Sequence, residues 1–460
     1  MQEQSIRALV AALDATQRLA RVARAVDPAT ELAAVGLKAH QERGQAVLFE
    51  NAGGWRSAAQ LLADRAQWET ALGAPPEGLL ALLEKRLGAA VAPVMVEAAR
   101  APVAAQRRAG DDVALERLPI PCANADDAAA QMAAVAISID PDDGGDCLGL
   151  TRHHVVGPRQ LSVIGLSPVL ERLRQRWHRD GKAMPLALAM GPDPALYLAA
   201  SLGIWRDADM ALAGSLAGAP IKLVRADAGA PPLPAEAELV ISGEIAPGEA
   251  VAAGRLATVF GTAAAAGAVP LFTARTLMCR ADPIFYAMHV GAPGDLAATL
   301  ALAAEVLVAA HIRNIEGGLD FIDIRVPPQA GGQVVVVKLR GRMEGQTKTA
   351  LMGALSGIAN RFKLAVAVDE DVNAADLRDV FWSIASRTHA ERDVSMIDGL
   401  RTHPHDYAVP ADAGGARVGT RWFIDSTMPP LTQPKAREDF ARAIPKNLAA
   451  TDLAAFLPQP

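Results

Sequence analysis

Residues Ala235–His289 read AEAELVISGEIAPGEAVAAGRLATVFGTAAAAGAVPLFTARTLMCRADPIFYAMH. Three β-rich runs stand out in it: AELVISGEI, RLATVFG and VPLFTARTLMC, with Pro247-Gly248 and an alanine-glycine tract between them. The chain just before supplies more such runs in MAAVAISID, PLALAMG and APIKLV. Runs this frequent, separated by Gly and Pro turns, predict a mostly antiparallel barrel or sandwich with inserted helices. This central domain is expected over 113–292.

Upstream, residues 1–112 read as an α/β domain. Ile6, Leu9, Val10 and Leu13 form one apolar face of an amphipathic helix, Ala46–Phe49 is a single strand-like run, and Pro75-Pro76 marks a turn. Leu118-Pro119-Ile120-Pro121 is extended, because a residue before proline is pushed out of the helical region. Downstream, 293–440 alternates: a long helix from Asp295 to Ile312, LDFIDIRVP, QVVVVKLRG, a helix from Gly345 to Arg361, KLAVAVDED, and a helix from Ala374 to Arg387. That alternation predicts a parallel α/β sheet covered on two faces. Asn373 is the expected N-cap of the last helix, and 441–460 is a tail. The fold class is thus mixed α/β (α+β) in three domains.

Composition excludes several functions. With 460 residues, 21 % charged and 4 % aromatic, the chain is long enough for two or three globular cores. A net charge of −6, with no basic cluster interleaved with aromatics, excludes the electrostatic footprint of a nucleic-acid binder. No membrane span is expected, since spanning needs an apolar run of about 18–20 residues, and the N-terminus lacks a signal-peptide pattern. A cytoplasmic location follows as the expectation. Cys122, Cys147 and Cys279 are far apart with no CxxC, which predicts reduced, packed thiols.

The AELVISGEI…VPLFTARTLMCRADPIF frame resembles the UbiD family of prenylated-FMN-dependent carboxy-lyases, whose text runs approximately AEIVLEGEI, EGPFGE and PVFxVxAIThRxDPIY. The resemblance extends through AVLFENAGG, LERLPIP, SIDPDDGGDCLGLTR, MPLALAMGPDPALYLAAS, AGSLAGAPIKLV, KLAVAVDEDVNAADLRDVFWSIASRTHAERD and GTRWFIDSTMPP, in the family's order. It implies an N-terminal α/β domain, a flavin-binding split barrel and a C-terminal α/β domain that mediates oligomerisation. It also implies (de)carboxylation of an aromatic or α,β-unsaturated acid with prenylated FMN, a divalent metal (Mn or Mg), and a homo-oligomer, dimer or hexamer.

Against that frame the chemistry-bearing positions differ. Decarboxylation leaves a carbanion that must be protonated by a positioned acid, and an arginine orients the substrate carboxylate through paired hydrogen bonds. Arg152 matches the family's arginine, as its catalytic and cofactor-binding residue. The family's two glutamates fall on Ala253 and Thr258, which cannot carry a proton at neutral pH. Its metal-binding asparagine falls on Cys147 and its glutamate on Ser242, and the stretch where its histidine would lie, QLSVIGLSP, has none, so no metal site is expected. Two functions stay open: a UbiD-like carboxy-lyase with altered acid/base groups, or a silent subunit that assembles with an intact homologue.

Other candidates read as structural. Glu244 shares a face with Ser242 and is expected to be a non-ligand. His153 and His154 are expected to be satisfied histidines, His403-Pro404-His405 a solvated loop, Asp369-Glu370-Asp371 a solvated acidic loop, and Cys279 a packed thiol.

Overall fold

The computed structural model describes residues 5–76, 78–122, 127, 129–204, 206–227, 229–315, 319–340, 343–358, 361–412, 415–452 and 455–456. The first helix, Ile6–Ala15, buries Ile6, Leu9, Val10 and Leu13, and the Ser5 side chain caps it by accepting from the Ala8 N–H. The N-terminal part holds more sheet than its periodicity predicts. Leu19–Val22, Ala46–Ala52 and Trp55–Ala59 are all strands, and Ile284–Tyr286 returns from far along the chain to pair with the third. The turn between Ala52 and Trp55 uses Gly53 and Gly54 at φ +60° and +85°, values that only glycine adopts without strain.

The central sheet is antiparallel throughout. Its order is Asp146–His153, Met132–Ile139, Met184–Met190, Leu239–Ala257, Ala263–Cys279, Gln160–Ser162, Val155–Gly157, with Gln106–Ala109 beside the fifth. AELVISGEI and RLATVFG are not separate strands: Leu239–Ala257 is continuous, with irregular register at Ser242/Gly243 and at Ile245/Ala250. A bulge lets a strand bend without ending, which is how one 19-residue element passes Pro247-Gly248. Side chains alternate across this sheet. Ala187, Ala189, Leu148 and Leu150 enter one core, and Leu186, Leu188 and Ile241 the other.

The helix Asp295–Ile315 follows the central sheet. It is long and apolar enough to meet the composition test for a membrane span, yet 83 % of that window is buried inside the protein. It packs as a core helix. Its first residue, Asp295, is itself buried and accepts from the N–H groups of Gln60, Leu62 and His289 and from the Tyr286 hydroxyl. Four donors satisfy one carboxylate, so it ties the helix start to the N-terminal sheet.

The C-terminal sheet runs Phe321–Arg325, Val334–Leu339, Leu364–Asp369, Val418–Ser426, Val394–Arg401. Only its inner pairs are parallel; both edges are antiparallel. The helix expected from Ala374 starts at Leu377, capped by Asp376, while Asn373 accepts from the Ala375 N–H in the turn before it. The acidic run is only partly solvated, with Glu370 and Asp371 exposed. Asp369 is buried, and it and Asp371 hold the Arg387 guanidinium at 3.3 and 2.6 Å. A buried guanidinium needs such partners, because leaving it uncompensated is costly.

Candidate active site

A cavity of about 430 Å³ lies between the central sheet and the C-terminal part. Leu150, Arg152, Ile164, Thr258 and Phe260 line it together with Leu296, Leu300, Arg361, His403, Pro404 and His405. Arg152 is placed by the strand Asp146–His153, on the face shared with Leu148 and Leu150. Its Nη1 donates to the Ala257 carbonyl at 2.6 Å. The Ala257 N–H donates to Asp127 at 2.7 Å, so this one residue bridges the guanidinium and a carboxylate. Burial lowers the Arg152 pKa and Asp127 opposes that shift. The group stays charged at any physiological pH.

None of the lining residues among those described is Asp or Glu. Thr258 lines the cavity, its hydroxyl 2.9 Å from that of Thr262. Ala253 does not line it: this residue packs in a small apolar cluster with Ile164 and Leu256. The two expected glutamate positions therefore have different surroundings, one polar and open to the cavity, the other dry.

The histidine pair was assigned to the wrong class by sequence. His403 and His405 are half-buried and line the cavity. The Phe260 ring stands 4.4 Å from His403 in an edge contact and lies under the Arg361 guanidinium at 5.1 Å. The His405 N–H donates to His403 Nδ1 at 3.1 Å. Burial pushes the His403 pKa down to about 3, with the charges of His405 and Arg361 adding to it. A neutral ring whose Nδ1 accepts must carry its proton on Nε2. His405 is also lowered, by burial and then by Arg152 and Arg417, and its Nδ1 lies 3.3 Å from the Tyr407 hydroxyl. Tyr407 is 48 % exposed, so this contact leads toward solvent.

Arg361, Phe260 and the histidines carried one signal in the sequence. From Gly345 to Val368 there is no Asp or Glu, so Arg361 has no local acid to pair with.

The remaining candidates sit elsewhere. His153 is a satisfied core residue: its Nδ1 donates to the Ser162 carbonyl and its Nε2 accepts from Thr151, both at 2.8 Å. His154 is buried, and its Nε2 has no partner among the described residues. Glu244 pairs with Arg275 at 2.6 Å. Cys279 is buried, with its thiol 3.7 Å from the Gln106 side chain.

Cys147 and Ser242 lie on opposite faces of the central sheet. Cys147 packs against the core of Leu186 and Ile241, whereas Ser242 is the cross-strand partner of Ala187 in the other core. Burial and neighbouring aspartates push the Cys147 thiol up to about 11, far from the thiolate that a metal requires. Among the described residues no three His, Cys, Asp or Glu side chains are grouped to hold a metal ion. These residues do not fit a divalent cation.

Family models agree with this architecture along nearly the whole chain. The N-terminal, Rift-related and C-terminal domains of 3-octaprenyl-4-hydroxybenzoate carboxy-lyase match residues 10–87, 94–293 and 299–424. The chain belongs to the UbiD family. Among solved structures, the UbiD-class enzyme HmfF from Pelotomaculum thermopropionicum, in complex with FMN, is similar at TM-score 0.89 and 27 % identity, covering 98 % of this chain and 100 % of that one. An evolved dimeric form of the same enzyme, in complex with prFMN, gives 0.86 and 26 %, covering 99 % and 100 %. The 3,4-dihydroxybenzoic acid decarboxylase AroY of Klebsiella pneumoniae gives 0.86 and 25 %, covering 99 % of each. In this UbiD-family chain the cavity carries arginines and imidazoles and, among the described residues, no carboxylate.

Proposed function

We propose that this UbiD-family chain is a carboxy-lyase-type protein whose cavity takes a planar aromatic or α,β-unsaturated carboxylic acid together with prenylated FMN. The observation that carries this reading is Arg152: a half-buried guanidinium lining a cavity, with a backbone carbonyl as its one hydrogen-bond partner among the described residues. Its remaining N–H groups suit a carboxylate, which it would orient through paired hydrogen bonds.

The residues present fit a flavin. Leu150, Ile164, Leu296, Leu300 and Phe260 offer apolar surface to a planar ring. Prenylated FMN, when bound, supplies an electron-accepting ring that stabilises the carbanion left by loss of CO₂. Residues of this chain do the rest. The apolar wall excludes water, Arg152 holds the carboxylate, and His405 moves the proton, resupplied through the Tyr407 hydroxyl. His403 is unsuited to that task, since its Nδ1 is tied to a backbone N–H.

A second reading is supported by the missing carboxylates: a catalytically silent subunit that assembles with an intact UbiD-type homologue, as a homo- or hetero-oligomer. The two are separated by loading the purified chain with prenylated FMN and following deuterium exchange and CO₂ release on a panel of aryl and acrylic acids. Turnover abolished by His405→Gln supports the first; no turnover with bound flavin, restored by an intact homologue, supports the second.

A further inference from the structure

Several other buried or half-buried guanidiniums are paired with carboxylates. Arg387 has Asp369 and Asp371, Arg280 has Glu236 and Glu238, and Arg65 has Glu305 and Asp323. Arg361 differs. It is 5 % exposed, lines the cavity, and has no carboxylate within 4.0 Å and no hydrogen-bond partner among the described residues; its Nε is buried and unsatisfied. A charge left so is costly unless something binds it, and the Phe260 face at 5.1 Å offsets only a small part of that cost.

Its position is nevertheless built. Gly332, at φ +61°, leaves room for it: a Cβ there would stand 2.8 Å from Arg361 Nη2. The His403 ring, in edge contact with the same Phe260, has Nε2–H as its donor. A fixed cation and a neutral donor in the same cavity as Arg152 make a second anion subsite.

Resting on the reading of Arg152 as a carboxylate anchor, we infer that Arg361, with His403, is a specificity-determining anchor for a second carboxylate, so the acid taken by this cavity is a planar dicarboxylate. A flavin phosphate is the other source of anionic oxygen that could meet Arg361, and the test separates the two.

Binding to the full-length chain is measured by calorimetry with isophthalate, benzoate and FMN as probes. The wild type is expected to hold isophthalate at least 10-fold more tightly than benzoate. Arg361→Met brings isophthalate down to the wild-type benzoate affinity without weakening FMN, and Arg361→Lys retains part of the preference. Arg152→Met weakens both acids. Because Arg361 is uncompensated, Arg361→Met melts at the wild-type temperature or above, whereas a merely structural arginine would lower it.

Equal affinities for isophthalate and benzoate in the wild type overturn the second anchor while leaving Arg152's role intact. Loss of FMN binding in Arg361→Met with the isophthalate preference kept assigns Arg361 to the phosphate and also overturns it. Failure of the wild type to bind either acid, with and without FMN, overturns the Arg152 reading and this inference with it.

Discussion

The backbone N–H of His405 donates to Nδ1 of His403, 3.1 Å away, so each histidine of the His-Pro-His segment fixes the other's role. His403 is held as a neutral Nε2–H donor, and His405 keeps its own ring for the contact with Tyr407. The expected outcome is that ¹⁵N NMR finds His403 in the Nε2–H tautomer and unprotonated from pH 8 down to pH 5, given a value near 3. A titration midpoint close to the ordinary 6.5 would remove the tautomer argument.

The Arg152 guanidinium has one hydrogen bond among the described residues, so its loss falls on ligand rather than on folding. Arg152→Met is expected to weaken carboxylate binding roughly 100-fold, the scale of a charge-assisted pair, with a change in melting temperature of a few degrees at most. Calorimetry and a thermal scan on the same preparation check both halves.

His153 makes stability depend on pH. Burial lowers its pKa to about 4, against about 6.5 in an unfolded chain. Between those values the unfolded state binds the proton and the folded state does not, so stability is complete above 6.5 and falls as pH drops toward 4. At about 1.4 kcal/mol per unit, this single group removes about 3 kcal/mol across that window. In His153→Gln that part of the slope in a urea-unfolding series from pH 7 to 4 disappears; an unchanged slope refutes it.

The two family glutamate positions respond differently to replacement. Thr258→Glu places a carboxyl in the cavity near Arg152 and is expected to fold as the wild type does. Ala253→Glu forces one into the dry cluster of Ile164 and Leu256, and costs about 2–5 kcal/mol from burial of an unpaired polar group. Denaturant midpoints of the two variants decide it.

Helix and strand content was legible because it rests on local periodicity. The Ile6–Leu13 stripe, the Val334–Leu339 and Leu364–Asp369 strands and the antiparallel central runs all follow their apolar spacing. What periodicity cannot show is where a strand is allowed to continue. Pro247-Gly248 looks like an end, yet bulges carry Leu239–Ala257 through it. Arg152 was picked out by its motif, and it lines the cavity. Arg361 and His403-Pro404-His405 were not, because their function depends on a tertiary contact with Phe260, about 100 and 140 residues away along the chain. Polar residues in a turn-rich segment have the composition of a solvated loop whether or not a cavity lies beneath them.

Arg152 belongs to the central sheet and Arg361 to the C-terminal part, and the same cavity separates them. Two fixed positive charges across a low-dielectric gap repel each other, and a doubly negative molecule between them reverses that force. Such a ligand would act as a strut in tension: it draws together two regions of the chain that otherwise push apart, so filling the site and clamping the architecture are one event.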